Sequence, residues 1–129
     1  MTSWFCCGNA WGRCGSAGTG SCGTCQSSQH MAAWPNLSPA CLSITNPGAC
    51  GVSLPEYDCG HVLRVHCRCQ NNDVCVTFAD CGPDTQLFCG NTACCGSDCE
   101  SNRVIDLTPS AFSVLGSLDA GILPVHLYT

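Results

Sequence analysis

The sequence predicts a small all-β fold with one short helix and long loops stapled by disulfides. Three observations carry that prediction. Sixteen of the 129 residues are cysteine, well above the ~8–10% that marks a disulfide scaffold in a short chain. Two adjoining stretches, "HVLRVHC" and "VCVTFA", are patterned as strands, the first alternating with period two. A single stretch, "TPSAFSVLG", carries helix signals at both ends.

The cysteines come first because they set the class. They are Cys6, Cys7, Cys14, Cys22, Cys25, Cys41, Cys50, Cys59, Cys67, Cys69, Cys75, Cys81, Cys89, Cys94, Cys95 and Cys99. An even count allows eight bridges, with connectivity left open. Zinc is the competing use. Cys22 and Cys25 in "CGTC" have zinc-ligand spacing, but no second Cys-x-x-Cys follows at ribbon spacing. Cys67/Cys69 and Cys94/Cys95 are too close for a tetrahedral half-site. Disulfides are therefore expected, and no metal or other cofactor. Such a chain belongs in an oxidising compartment, so a secreted, extracellular protein is expected. The start "MTSW" lacks the basic and apolar regions of a signal peptide, which suggests a mature form carrying a start methionine.

Charge narrows the partners. Only 10% of residues are charged, the formal net charge is −5, and lysine is absent. The four arginines, Arg13, Arg64, Arg68 and Arg103, are scattered. Nucleic-acid binding needs a basic patch, and none exists. An anionic membrane surface is disfavoured for the same reason, and no apolar run reaches the ~18 residues of a span. A neutral partner fits best.

Along the chain, residues 1–58 are rich in Gly, Ser, Asn, Pro and Cys and read as loops and first strands. Asn36-Leu37-Ser38 is a glycosylation sequon. Residues 59–129 read as the core of the fold, and residues 1–129 as one domain. In "HVLRVHC", Val62, Arg64 and His66 alternate with Leu63, Val65 and Cys67. "QNND" turns the chain into the next strand, which Asp80 follows. Residues 81–102 form a cysteine-rich loop. "RVIDL" is a short strand. Thr108 as N-cap, Pro109 at the first helical position and Gly116 past the end bound a helix whose apolar face is Ala111, Phe112 and Leu115. "GILPVHLY" is a last strand.

"CGHVLRVHC", "VTFADCGP" and "RVIDLTPSAFSVLGSLDAGILPVHLY", in this order, resemble the double-psi β-barrel of the barwin, expansin and rare-lipoprotein-A type. Asp106-Leu107-Thr108-Pro109, Phe112 and Gly121-Ile122-Leu123-Pro124-Val125 carry the most specific match. The resemblance covers residues 59–128 well and residues 1–58 loosely. It implies a small six-stranded double-psi β-barrel with a groove for polysaccharide, the partner being cellulose, another β-glucan, chitin or peptidoglycan.

The branches differ in their catalytic groups. "TSWFCC" resembles the opening segment of family 45 endoglucanases, with Phe5 where their base Asp stands. Inverting hydrolysis needs an acid and a base about 6.5–9.5 Å apart, and Phe cannot activate water, although another acid such as Asp58 could substitute. "MAAWPNLSP" and "ADCGP" resemble the two motifs of rare lipoprotein A. Asp80, Gly82 and Pro83 match, Cys81 replaces Arg, Trp34 stands at the His position, and His30 is out of register. A lytic transglycosylase can work with one carboxyl serving as acid and then base. Expansins keep acids at the Asp80 and Asp106 positions and lack the hydrolytic base, which is closest to what this chain retains. An expansin-like barrel that binds and loosens wall polysaccharide is therefore expected. The alternatives are a lytic transglycosylase or glycosidase using Asp80, and a structural or defence protein without catalysis.

Each site residue has a plainer reading. Asp80 is expected as the catalytic or sugar-binding acid, against a turn role before Gly-Pro. Asp106 is expected as a second catalytic or sugar-binding acid in the groove, against a carboxylate favoured by the helix dipole. Trp4, Trp11, Trp34 and Tyr57 are expected to stack on sugar rings, with Trp34 foremost, against core packing. His30, His61, His66 and His126 read as barrel-surface residues.

Overall fold

The computed structural model describes residues 2–38, 41, 55–67, 71–82 and 105–128. Eight strands occur among them: β1 (Thr2–Trp4), β2 (Met31–Trp34), β3 (Leu37–Ser38), β4 (Tyr57–Asp58), β5 (Val62–Cys67), β6 (Asn72–Cys81), β7 (Ile105–Leu107) and β8 (His126–Tyr128). One α-helix, α1 (Pro109–Leu115), and a 3-10 turn (Leu118–Ala120) lie between the last two strands. Six strands form one sheet in the order β1-β7-β2-β6-β5-β8, and β3 pairs with β4 alone.

The antiparallel hairpin β5–β6 follows the predicted pattern. Leu63, Val65 and Cys67 point inward against Val74, Val76 and Phe78, while Val62, Arg64 and His66 face out. Asn71 makes the turn at φ 54°, a left-handed conformation that asparagine tolerates better than most residues. β2 then joins β6 in parallel, and β7 joins β2 antiparallel. The sheet curls because β1, beyond β7, also reaches the segment before β8. Thr2 N–H donates to Leu123 O at 2.8 Å, and Leu123 N–H returns to Thr2 O at 2.9 Å.

The core fills the inside of this curl with Trp34, Leu37, Ile105, Leu107, Leu123, Val125 and Leu127 as well as the hairpin residues. Helix α1 covers it with Ala111, Phe112 and Leu115, the predicted apolar face, together with Pro109. A second, smaller apolar cluster of Cys7, Cys25, Met31 and Ala79, with Phe5 against it, lies on the other face of β2 and β6.

Several expectations are revised. Thr108 sits in the N-cap position, but its side chain makes no cap hydrogen bond. Its hydroxyl instead donates to Gln29 O and accepts from Met31 N–H, tying the helix start to β2. The last strand is shorter than "GILPVHLY", because Pro124 has no N–H to give a ladder and pairing with β5 begins at His126. β6 is longer than expected: it runs to Cys81, so Asp80 lies inside the strand and not after it.

Four disulfides occur among the described residues: Cys6–Cys14, Cys7–Cys25, Cys22–Cys59 and Cys41–Cys81. Cys22 and Cys25, spaced like zinc ligands, belong to separate bridges. Pairing of all sixteen cysteines does not hold, because Cys67 and Cys75 carry free thiols, the first buried and the second exposed. Alternation keeps these two from pairing with each other, since Cys67 points into the core and Cys75 out of it. Cys50, Cys69, Cys89, Cys94, Cys95 and Cys99, and the cysteine-rich segment after residue 82, lie outside the described residues. No described helix is long and apolar enough to cross a membrane.

Candidate functional site

Period-two alternation makes a definite statement about Asp80. Val74, Val76 and Phe78 face the core, so strict alternation would send Asp80 inward too. An unpaired buried carboxylate there would be costly. The structure avoids it with a β-bulge. Ala32 pairs with Phe78, but Ala33 pairs with Asp80, leaving Ala79 as an extra residue on β6. A bulge bends the strand and re-aims the side chains that follow it. Ala79 joins the outer cluster, Asp80 shares the outer face, and Cys81 packs against the main core again.

The same face carries the second acid. In β7, Ile105 and Leu107 are buried in the core, and Asp106 between them points away. Asp106 pairs with Ala33 in the β2–β7 ladder and with Ser3 in the β1–β7 ladder. Ser3, Asp106, Ala33 and Asp80 therefore form one row across four strands. Both carboxylates are half-buried. Two strand spacings, about 9–10 Å, separate their backbones. The Ser3 hydroxyl donates to Asp106 Oδ1.

Asp80 is held by a strap from the first loop. Its Oδ1 accepts from Ser21 N–H at 2.9 Å, Ser21 Oγ–H at 2.8 Å and Cys81 N–H at 2.8 Å. Cys22 N–H donates to the carbonyl of the bulged residue, Ala79, at 3.0 Å. Gly20 makes this approach possible: a Cβ there would stand 2.2 Å from Ala79 O. Disulfides fix both sides, Cys22 to Cys59 and Cys81 to Cys41. The bond from Cys81 N–H comes from the next residue inside β6, and Gly82 N–H donates to Trp34 O, so Asp80 does not close the Asx-turn that the plainer reading expects.

The aromatic residues divide differently from expectation. Trp34, the foremost stacking candidate, is 0% exposed. β2 alternates, so Trp34 shares the core face with Ala32, stacks on Phe78 at 5.5 Å and donates its indole N–H to Pro55 O. It offers no face to a ligand. Trp4 pairs with Leu107, packs against the core and donates its indole N–H to Leu118 O. Tyr57 is half-buried and stacks on His61 at 4.6 Å, close to Trp34 and Phe78. Burial pushes its phenol above the ordinary value near 10. Trp11 is half-buried in the loop closed by Cys6–Cys14 and belongs to neither apolar cluster among the described residues.

The histidines also differ from one another. His66 and His126 pair across β5 and β8 on the outer face, and His66 contacts Asp73. His30 is exposed, whereas the Nε2 of His61 is buried without a partner. Phe5, placed by resemblance at the position of a catalytic base, packs against the outer cluster.

A curled six-stranded sheet with one short helix and disulfide-braced loops is a β-barrel fold of the double-psi class. Solved structures that share it include two of different kinds. A crystal structure of an apo expansin from Clavibacter michiganensis matches with a TM-score of 0.52 and 23% identity, over 99% of this chain and 47% of that one. The Streptomyces papain inhibitor matches with a TM-score of 0.51 and 20% identity, over 98% of this chain and 86% of that one. The chain thus spans about half the length of the expansin. No family model matches the sequence, and no curated protein matches it.

Proposed function

We propose that this chain is a secreted, expansin-like barrel that binds a neutral cell-wall polysaccharide on the outer sheet face carrying Asp80 and Asp106. The observation that supports it best is the bulge at Ala79, which turns Asp80 onto the face of Asp106 when alternation alone would bury it. Two half-buried carboxylates in one row are acceptors for sugar hydroxyls. An acidic, lysine-free chain suits a neutral glycan better than a polyanion. Four disulfides suit an oxidising compartment. The likeness to an expansin agrees with this reading. Binding is its core, and bond cleavage is not required.

A second reading has its own support. The chain spans most of the Streptomyces papain inhibitor, so a barrel that blocks a protease with its braced loops is the competing function. One experiment separates the two. The protein is incubated with cellulose, chitin and peptidoglycan, and both retention and released sugars are measured. In parallel it is titrated into papain. Retention without products, weakened about tenfold in Asp106→Asn by loss of a charged acceptor, supports the proposal. Products abolished by Asp80→Asn would make it an enzyme. Papain inhibition without retention on any polymer refutes the proposal in favour of the second reading.

A further inference from the structure

The bulge leaves Asp80 with two unlike oxygens. Oδ1 receives three donors, Ser21 N–H, Ser21 Oγ–H and Cys81 N–H. Oδ2 has no hydrogen bond among the described residues. A carboxylate oxygen has about two lone-pair sites, so Oδ1 has no capacity left for a ligand. The strap that supplies two of the three donors is not a passing contact. It also satisfies the carbonyl of Ala79 through Cys22 N–H, closes on itself through Gly23 N–H to Gly20 O, and is anchored by Cys22–Cys59. The lack of a side chain at Gly20 allows it to lie this close to β6.

We infer that Ser21 is a positioning residue: it locks the Asp80 carboxylate with Oδ1 committed to the strap, so that Oδ2 alone is presented, as a single acceptor for a ligand hydroxyl. The inference rests on the polysaccharide reading of this face for the identity of the ligand, but not for the lock itself. A one-oxygen acceptor takes one hydroxyl at a time. It does not offer the two-pronged contact that guanidinium–carboxylate pairs frequently use. A single acceptor of this kind suits the hydroxyl-rich chain of the polysaccharide reading. The second acid, Asp106, lies two strands away in the same row.

The test uses the full, oxidised chain as native protein, Ser21→Ala and Ser21→Thr. Carboxyl groups are coupled to a small amine with a water-soluble carbodiimide, and the extent at Asp80 is read by peptide mass spectrometry. The exposed Asp58 serves as internal reference. Retention on cellulose, chitin and peptidoglycan is measured on the same samples, and melting temperature reports folding. Ser21→Ala should raise coupling at Asp80 about tenfold relative to Asp58, the lower end for loss of one hydrogen bond to a charged acceptor. It should weaken retention, and Ser21→Thr, which keeps the hydroxyl, should restore both. Native-level coupling in Ser21→Ala, or no rescue by Ser21→Thr, overturns the lock. Increased coupling with unchanged retention overturns its role toward the ligand. A native protein that no polymer retains overturns the polysaccharide reading, while the coupling result still decides the lock.

Discussion

Replacing Trp34 with alanine separates core packing from ligand stacking. The indole is fully buried, stacks on Phe78 at 5.5 Å with 24° between planes, and meets Tyr57 at 5.4 Å. Truncating a buried aromatic to alanine costs about 3–5 kcal/mol, transfer and cavity together. The indole N–H bond to Pro55 O, at 2.9 Å, is lost as well. That carbonyl is only part-buried, so water can replace the donor and the added cost stays near the low end, about 0.5 kcal/mol. The sum is about 3.5–5.5 kcal/mol. Trp34→Phe keeps a ring against Phe78 and should cost about 1–3 kcal/mol, the hydrogen bond plus a smaller void. The assay is urea unfolding with the disulfides intact, a condition under which small proteins commonly remain two-state. With a slope near 2 kcal/mol/M, Trp34→Ala should lower the midpoint by about 2 M. A loss below about 1 kcal/mol, together with weakened polysaccharide retention, would refute the reasoning and return Trp34 to the ligand face.

Three further outcomes follow from particular contacts. Gly20→Ala drives a Cβ to 2.2 Å from Ala79 O, so it should cost about 1–3 kcal/mol by overpacking against backbone, measured by the same unfolding. The raised Tyr57 phenol means that the folded state favours the protonated form. The corresponding stability is fully present below the unfolded value near 10 and is lost as pH rises through the higher folded value. Unfolding free energy should therefore fall on going above about pH 10, less so in Tyr57→Phe, with the tyrosinate absorbance band reporting ionisation. Cys75 should react with an alkylating reagent in the native protein and Cys67 only after unfolding, as peptide mapping would show. Equal labelling of the two thiols in the native state would contradict their placement on opposite faces.

Much of the frame was legible in local pattern. Period two in residues 61–67 placed Leu63, Val65 and Cys67 inside, and the ladder agrees. The helix was legible because Pro109 and Gly116 bound it and Ala111, Phe112 and Leu115 share its inner side. Both are short-range signals, carried by residues that fold against their own neighbours. The aromatic assignments were not legible in the same way. Trp34 occupies a motif position, yet in β2 it shares a face with Ala32, and that face is the core because the curled sheet and helix α1 pack over it. Sequence spacing does not say which face of a four-residue strand is covered.

Asp80 draws the boundary most sharply. Composition and alternation by themselves establish a disulfide-stapled, acidic, all-β chain with a hairpin, one bounded helix and an acid after the second strand. Local pattern ends that strand before Asp80, and only the observed length of β6 puts the acid where alternation calls for a core residue. The bulge itself, the shared face of Asp80 and Asp106, and the hold of Ser21 on Asp80 were decided by tertiary structure. Each joins residues from strands or loops far apart in the chain: Ser3 with Asp106, Ala33 with both acids, Ser21 with Asp80. The physical reason is that alternation fixes a side chain only relative to its own strand, whereas register between strands fixes which side chains meet.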